Sequence, residues 1–172
     1  MPNPFEQRFK QMEAKLQSTL ATLPAMAGAI VVEHSDQAFV QQGWTDRTLE
    51  PWTPRQSEDA KSQGRAILVL TGRLRSSIRV VSTTHDSVTI GTNVPYAKVH
   101  NEGFEGAVNI SGHVRIKPIT GQKGSFTVKQ TKVAAHTKNM RITQRRFLGN
   151  SYEQTEKIKK LFTKQIMAAL AA

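Results

Sequence analysis

Residues 70–103 constrain the fold of this chain most, because they predict two short helices and two short strands in immediate succession. Thr71 and Gly72 precede Leu74 and Ile78, which stand four positions apart. An N-capping threonine followed by apolar residues at helical spacing is typical of a short helix. The segment therefore predicts a helical turn that begins beside Thr71.

The remainder of this segment predicts a β-ribbon followed by a second helix. The β-branched run 79–83 and the run 88–91 predict two strands, joined by turn residues at 85–87. Residues 96–100 predict the helix, with Gly103 as the residue that ends it. A two-stranded ribbon is marginal alone, so other elements must cover its apolar face.

Five sequence blocks carry a resemblance to a known family. They are W-T-P at 52–54, T-G-R-L-R-S-S-I at 71–78, I-G-T at 90–92, Y-A-K-V-H-N-E-G at 96–103 and R-R-F-L-G-N-S at 145–151. In this order they are similar to the phage virion morphogenesis family, the tail completion proteins of Mu-like and related contractile-tailed phages. The blocks and their spacing cover about half of the chain.

The resemblance implies a structural virion protein, assembled in the host bacterial cytoplasm and found in the neck or tail of the particle. It implies a homo-oligomeric ring at the head–tail junction, a hexamer that would match the tail tube. Its partners would be neck or connector proteins and tail tube or terminator proteins, with non-specific contact to packaged DNA. Whether the ring joins heads to tails or terminates tail polymerisation stays open on the sequence.

Positive charge is concentrated in one part of the chain. The formal net charge is +11, yet no acidic residue stands between Gly106 and Tyr152. Such a segment indicates a solvated basic face, or a surface for nucleic acid or an acidic protein. The candidates for DNA-channel or partner contacts are Arg115, Lys117, Lys123, Lys129 and Lys132. A basic nucleic-acid-binding protein acting outside a virion is the alternative function, although the segment has few aromatic residues for base stacking.

Composition excludes several other classes. The chain has no cysteine, so it forms neither disulfides nor thiolate metal sites. The longest apolar run, 25–32, is much shorter than the roughly 20 residues of a membrane span. We expect a soluble protein without membrane contact.

The N-terminal part predicts helices followed by a loop. Asn3 and Pro4 predict a helix start, and an apolar stripe follows that Pro24 ends. The stripe is Phe5, Phe9, Met12, Leu16, Leu20 and Leu23. We expect it to lie on the chain's own sheet, with a neighbouring subunit as the alternative. Within residues 25–40 the run 30–32 favours a strand by propensity, whereas the alanines favour a helix. The family resemblance implies a second helix there, ending near Gly43. Residues 44–55, with two tryptophans, predict a structured loop.

The later part predicts a helix over 57–69 and a hairpin between 106 and 140. The alternation around 113–119 predicts a half-exposed strand with a basic solvent face, paired with residues 125–133 across a glycine-containing turn. Lysines there could also serve only to block unwanted edge pairing. Residues 134–140 are expected to be loop.

We expect residues 142–148 to close the sheet, and Asn150 to cap a C-terminal helix over 150–171. The predicted fold class is α+β, a small antiparallel sheet with a protruding basic hairpin, packed by N-terminal helices and the C-terminal helix. Residues 1–56 form the helical segment and Trp/Pro loop, and 57–172 form the α+β core, together one compact domain. The predicted core anchors are Leu74, Ile78, Tyr96, Phe147 and Leu148.

No pattern for catalysis, cofactor binding or metal binding is present. The five histidines include no pair four residues apart, and no G-x-S-x-G or phosphate-loop motif occurs. Tyr96 and His100 share a helical face, which favours a structural polar pair. We expect no enzyme, no cofactor and no metal site.

The interface of a ring needs two different complementary patches on each subunit. Arg73 and Arg75 are the candidates for one patch, and Glu102 and Glu105 for the other. This charge pairing is a hypothesis about the subunit contact.

Overall fold

The computed structural model describes residues 3–55, 63–120 and 126–171. Its fold is α+β, as predicted, with helices and four two-stranded antiparallel sheets over those residues. The elements are α1 Pro4–Gln41, β1 Gly43–Thr45, β2 Leu49–Pro51, α2 Arg73–Ser77, β3 Arg79–Thr83, β4 Val88–Gly91, α3 Ala97–Glu102, β5 Phe104–Ile110, β6 His113–Thr120, β7 Phe126–Val133, β8 His136–Ile142 and α4 Tyr152–Leu170.

The contacts divide the chain into two compact units. The first, here called the body, is Met1–Glu102 with Gln144–Ala172. The second, here called the ribbon, is Gly103–Thr143. The ribbon is thus inserted between α3 and the segment that leads to α4.

Helix α1 starts as predicted but does not end at Pro24. The Asn3 side-chain oxygen accepts a hydrogen bond from the Phe5 amide at 3.1 Å, and Pro4 occupies the first turn. The helix then continues through Pro24 for 38 residues, about 57 Å. The prediction of two helices separated at Pro24 was wrong, and residues 25–40 are the second half of the same helix.

The two halves of α1 have different surroundings. From Leu23 onward the helix contributes buried residues, among them Ala38 and Phe39. The first half carries the predicted apolar stripe, but Phe5 is 73% exposed and Phe9 is 54% exposed. The expected burial of the whole stripe on the chain's own sheet therefore fails at its start.

The tryptophan segment is a small hairpin rather than a loop. Strands β1 and β2 pair antiparallel, with Trp44 opposite Glu50. Trp44 and Trp52 are both buried, so they anchor the hairpin on the core. The backbones of β1 and β2 approach each other closely at Gly43, because a Cβ there would lie 2.6 Å from the Glu50 carbonyl oxygen.

Part of the helix predicted over 57–69 lies outside the described residues. Residues 63–69 form turns instead of a helix. Ile67, Leu68 and Val69 nevertheless pack against the core. The Ile67 amide donates to the side-chain oxygen of Gln42, which fixes this turn beside the end of α1.

The segment that constrains the fold most has the predicted elements. Helix α2 is followed by β3 and β4, which pair antiparallel with a register shift between Val80 and Ser82. Gly72 is the N-cap of α2, in place of Thr71, and adopts φ 72°. Gly103 follows α3 with φ 79°, the left-handed conformation expected of a residue that ends a helix.

The ribbon is longer than the predicted hairpin. Strand β5 pairs with β8, and β6 pairs with β7. Residues 136–142 are a strand, so the expected loop over 134–140 was wrong. The register is unchanged between the two ladders, because the pair Ile110–His136 is followed by the pair His113–Val133. The interruption consists of residues 111–112 and 134–135.

The chain after the ribbon departs from the prediction in two details. Residues 143–151 form no strand, so they do not close a sheet. Ser151, and not Asn150, caps α4, and its hydroxyl accepts from the Gln154 amide. The helix has the predicted position, and its Ile158 and Ile166 side chains are half-buried.

One core lies in the body where α1, α2, α3 and the tryptophan hairpin meet. Phe39 contacts the Trp52 ring edge-on, with ring centroids 5.5 Å apart, and lies 5.2 Å from the Phe147 ring. The predicted anchors Leu74, Ile78 and Phe147 are buried there, and Leu148 packs against them. Tyr96 is the exception, since 42% of it is exposed.

Candidate interaction surfaces

Three of the sequence blocks meet in a single hydrogen-bonded joint. The Asn101 side-chain oxygen accepts from the amides of Phe147 and Leu148, each at 2.9 Å. Its amide nitrogen donates to the Leu148 carbonyl at 3.0 Å. We call this arrangement the Asn101 clip; it holds the end of α3 against the chain that returns from the ribbon.

The W-T-P block joins the same structure. The Trp52 indole donates to the Arg146 carbonyl at 2.8 Å. The Arg145 guanidinium donates to the Thr53 carbonyl at 2.9 and 3.1 Å, and its backbone amide donates to the His100 carbonyl at 2.8 Å. These blocks therefore stabilise the body around the point where the ribbon is inserted.

Sequence reasoning did not find the roles of Asn101, Arg145 or Ser35. The Ser35 hydroxyl donates to the Phe147 carbonyl at 2.6 Å across 112 positions of sequence. The only available signal was that Asn101 and Arg145 lie inside the family blocks. Their partners are backbone atoms of distant segments, which local sequence does not specify.

The predicted interface arginines differ in their surroundings. Arg75 is bound to Asp36 of α1, with Nη2 donating to Oδ2 at 2.7 Å and Nε donating to Oδ1. The hydrogen bond from Arg75 lowers the pKa of Asp36, and the same bond raises the pKa of Arg75. Arg73 is exposed, and over the described residues its guanidinium meets no partner.

The predicted interface carboxylates have local partners. Glu102 lies 4.0 Å from Lys98, one helical turn earlier. Glu105 lies 3.6 Å from Arg141, its directly opposite residue in the β5–β8 ladder. Both pairs are largely exposed, and exposed pairs of this kind contribute little to stability. The carboxylates fall in different units, Glu102 in the body and Glu105 in the ribbon.

The two faces of β6 differ, since its basic side chains and its aliphatic side chains alternate. Arg115 and Lys117 point to one face, because alternate residues of a strand share a face. Lys117 lies directly opposite Lys129, so that face carries a cross-strand pair of like charges. Lys132, another predicted contact residue, lies on the other face, opposite Val114. Lys123 lies outside the described residues.

The other face, here called the apolar face, combines exposed aliphatic side chains of β6 and β7 with Lys132 and Gln130. Val114, Ile116 and Val128 are 51%, 60% and 63% exposed. The expectation of a half-exposed strand is therefore wrong over residues 113–117, where both faces are accessible. Two strands alone rarely provide enough stability. The sequence predicted the basic face of the ribbon but did not predict that the apolar face would be exposed.

Two histidines of the body are partly buried. Burial lowers the pKa of His100, and the charge of Arg145 lowers it further. Burial also lowers the pKa of His34, partly opposed by its contact with the Thr45 carbonyl at 3.0 Å. The predicted Tyr96–His100 pair makes an edge-on ring contact at 5.9 Å, and the buried Nδ1 of His100 has no hydrogen-bond partner among the described residues. Among the described residues no group of histidines and carboxylates is arranged to hold a metal ion.

Helix α1 is the one helix of the described chain that is long and apolar enough to cross a membrane, by length and composition. The core helix of a soluble protein can meet the same criterion. Leu23, Ala38 and Phe39 of this helix are buried in the body, while 22% of its most apolar 18-residue window is buried.

Comparison with known proteins gives one match. The model of the phage virion morphogenesis family matches residues 2–167. The resemblance inferred from the sequence blocks is thereby confirmed over nearly the whole chain. No curated protein and no solved structure matches it.

Proposed function

We propose that this chain, which belongs to the phage virion morphogenesis family, is a tail completion protein that forms a ring at the head–tail junction. Family membership indicates a structural role in virion assembly. The observation that supports a role in association is the exposed apolar surface on both units. Phe5 and Phe9 of α1 and the apolar face of β6–β7 all lack cover within the described chain.

The ring proposal includes its composition and surroundings. Six copies would match the symmetry of a tail tube, and the neighbours would be connector proteins on one side and tube or terminator proteins on the other. Assembly takes place in the host cytoplasm without a membrane, and the protein transforms no substrate. Each contact around the ring is heterologous, so one patch of a subunit meets a different patch of the next.

Arg73 is the residue that best tests the ring contact. Arg75 is unsuitable, because its reversal to Glu would place two carboxylates together at Asp36 and disturb the body. We expect Arg73→Glu to abolish the ring while the subunit remains folded, as measured by light scattering and circular dichroism. Arg79→Glu is the matched control, since Arg79 is also exposed. Unchanged rings in Arg73→Glu would contradict the assignment of Arg73.

Joining and tail termination give different particles when the protein is absent. Electron microscopy should show free heads with finished tails if the ring joins them. Over-long tails would instead assign the ring to termination. Normal virions would reject both roles.

Nucleic-acid binding is the second candidate function, favoured by the acid-free segment. Arg115, Lys117 and Lys129 could contact phosphates without sequence readout. A titration of duplex DNA against purified protein at increasing salt tests this function. Binding that weakens steeply with salt supports it, and no binding at low salt rejects it.

A further inference from the structure

We propose that the outer edge of β6 accepts an extended segment of a different protein, in which aliphatic and acidic residues alternate. The proposal concerns the ribbon and does not depend on whether the chain forms a ring. Among the residues that the structure describes, β6 is hydrogen-bonded to β7 alone, which leaves its other edge available for an added strand. Addition of a strand to an exposed sheet edge is a common mode of peptide recognition.

The pattern of β6 determines the pattern of its partner. Val114 and Ile116 point to the apolar face, and Arg115 and Lys117 point to the basic face. A strand added beside them also alternates between the two faces. Aliphatic residues of the partner would therefore lie beside Val114 and Ile116, and acidic residues beside Arg115 and Lys117.

The opposed lysines of the ribbon favour an anionic partner independently. Lys117 and Lys129 are direct cross-strand neighbours, and like charges in this position destabilise a ladder. An acidic side chain on the same face would reverse that cost. Glu105 is the one acidic residue of the ribbon's sequence, and it is already paired with Arg141.

The apolar half of the surface favours a protein over nucleic acid. Val114 and Ile116 offer no stacking surface for bases and no hydrogen-bond donors for phosphates. Buried aliphatic side chains do stabilise contacts between strands. Pro118 limits the usable edge to residues 113–117, because proline has no backbone amide to donate.

A second copy of this chain does not supply the complementary segment. No two acidic residues stand two positions apart anywhere in its sequence, as an alternating strand requires. The partner is therefore a different protein. Its recognised segment needs about five residues, the length of the edge from His113 to Lys117.

The test uses the full chain and a short synthetic peptide whose central residues alternate valine and glutamate. A peptide of the same composition with the valines and glutamates in separate blocks is the control. We expect the alternating peptide to bind, and the blocked peptide to bind about tenfold more weakly or not at all. Equal binding of the two peptides, or no binding of the alternating one, would overturn the proposal.

Two double variants test the contributions of the two faces of β6 to peptide binding separately. Val114→Thr with Ile116→Thr should weaken peptide binding about tenfold while keeping β propensity. Arg115→Gln with Lys117→Gln should weaken it similarly and remove most of its salt dependence. Val81→Thr is the control for the first pair, because Val81 on β3 is 63% exposed. Lys164→Gln, an exposed lysine of α4, is the control for the second.

Other occupants of the edge give recognisable results. Duplex DNA that displaces the peptide and loses affinity with Arg115→Gln and Lys117→Gln would assign the ribbon to nucleic acid. Concentration-dependent self-association that disappears with Val114→Thr and Ile116→Thr would assign the edge to a second copy. Either result would overturn the proposal.

Discussion

At the scale of single residues, Asn101 connects two segments that lie 46 and 47 positions apart in the sequence. One side chain satisfies the amides of Phe147 and Leu148 and also donates to the Leu148 carbonyl. No other residue type of similar size offers both an acceptor and donors in this arrangement. The asparagine in the block Y-A-K-V-H-N-E-G therefore has a structural role in holding the fold together.

Removal of this side chain should be costly. We expect Asn101→Ala to lower the free energy of unfolding by about 2–4 kcal/mol, because two partly buried amides lose their acceptor. Urea denaturation measures the change. The control is Asn109→Ala, which removes an exposed hydrogen bond to Thr137 in the ribbon and should change the free energy by less than about 1 kcal/mol. Equal effects of the two substitutions would contradict the role of the clip.

The partly buried histidines make stability depend on pH. The folded-state pKa of His100 is lowered, so the unfolded chain binds protons more readily. Its contribution is fully present above the unfolded pKa of about 6.5 and is lost as pH falls below that value. We expect the free energy of unfolding to decline as the pH falls below about 6.5, and to decline less in His100→Leu. Identical pH profiles would show that His100 does not titrate in this way.

At the scale of elements, α1 organises the body through a close approach to the β3–β4 sheet. A Cβ on Gly28 would lie 2.9 Å from side-chain carbons of Val80 and Val88. Only the absence of a side chain at this position lets the helix and the sheet come so near. The glycine thus sets the distance between the long helix and the elements that follow it.

Gly28→Ala tests this contact. Alanine is the better helix former by roughly 1 kcal/mol. The steric overlap of its Cβ with Val80 and Val88 should outweigh this gain, so the free energy of unfolding should fall by about 1–2 kcal/mol net. Thermal or urea denaturation shows whether Gly28→Ala lowers or raises the free energy of unfolding. The double variant Gly28→Ala with Val88→Ala should recover part of the loss, since Val88 provides one of the two contacts. A stabilised Gly28→Ala would contradict the close approach.

The elements also show where local sequence was sufficient. Residues 79–91 combine β-branched runs with a compact turn, so propensity and tertiary structure agree there. Pro24 shows the opposite case, because the usual rule that proline ends a helix was overridden. Residues 136–142 are mostly polar and form a strand through pairing with β5, a partner distant in sequence. Pairing of that kind leaves little local signal.

The candidate surfaces divide in the same way. Charge was visible in composition, so the sequence proposed Arg115, Lys117 and Lys129 as contact residues, and the β6–β7 register places them on one face. The pairing of Arg75 with Asp36 was not found, because it spans 39 positions and depends on how α2 packs against α1. The exposed apolar face was missed because alternation reveals that a strand has two faces and not whether either one is covered.

At the scale of the whole molecule, the chain divides into the body and the ribbon, each compact by itself. Phe104 and Ile142 are directly paired at the base of the ribbon, so its two ends are adjacent. The core and the Asn101 clip belong entirely to the body. The body should therefore fold without most of the ribbon.

A shortened chain tests this independence. Joining Phe104 to Ile142 by an Asn-Gly turn should leave the helical circular dichroism and cooperative thermal unfolding of the body unchanged. A matched deletion of residues 43–51 should abolish cooperative unfolding, because that hairpin contains the buried Trp44. Loss of cooperativity in the shortened-ribbon chain would show that the body depends on it.

The interruption shared by both strands of the ribbon has a consequence for how such an arm can change in length. His113 and His136 stand just beyond it, and each imidazole donates to the carbonyl two residues earlier, at 3.1 and 3.0 Å. Insertions of equal length at 111–112 and at 134–135 would keep the strands beyond the interruption in register. If the inserted number is even, each side chain of β6 and β7 would also stay on the same face of the ladder. The ribbon can thus become longer or shorter to fit a different partner while the Asn101 clip in the body stays the same.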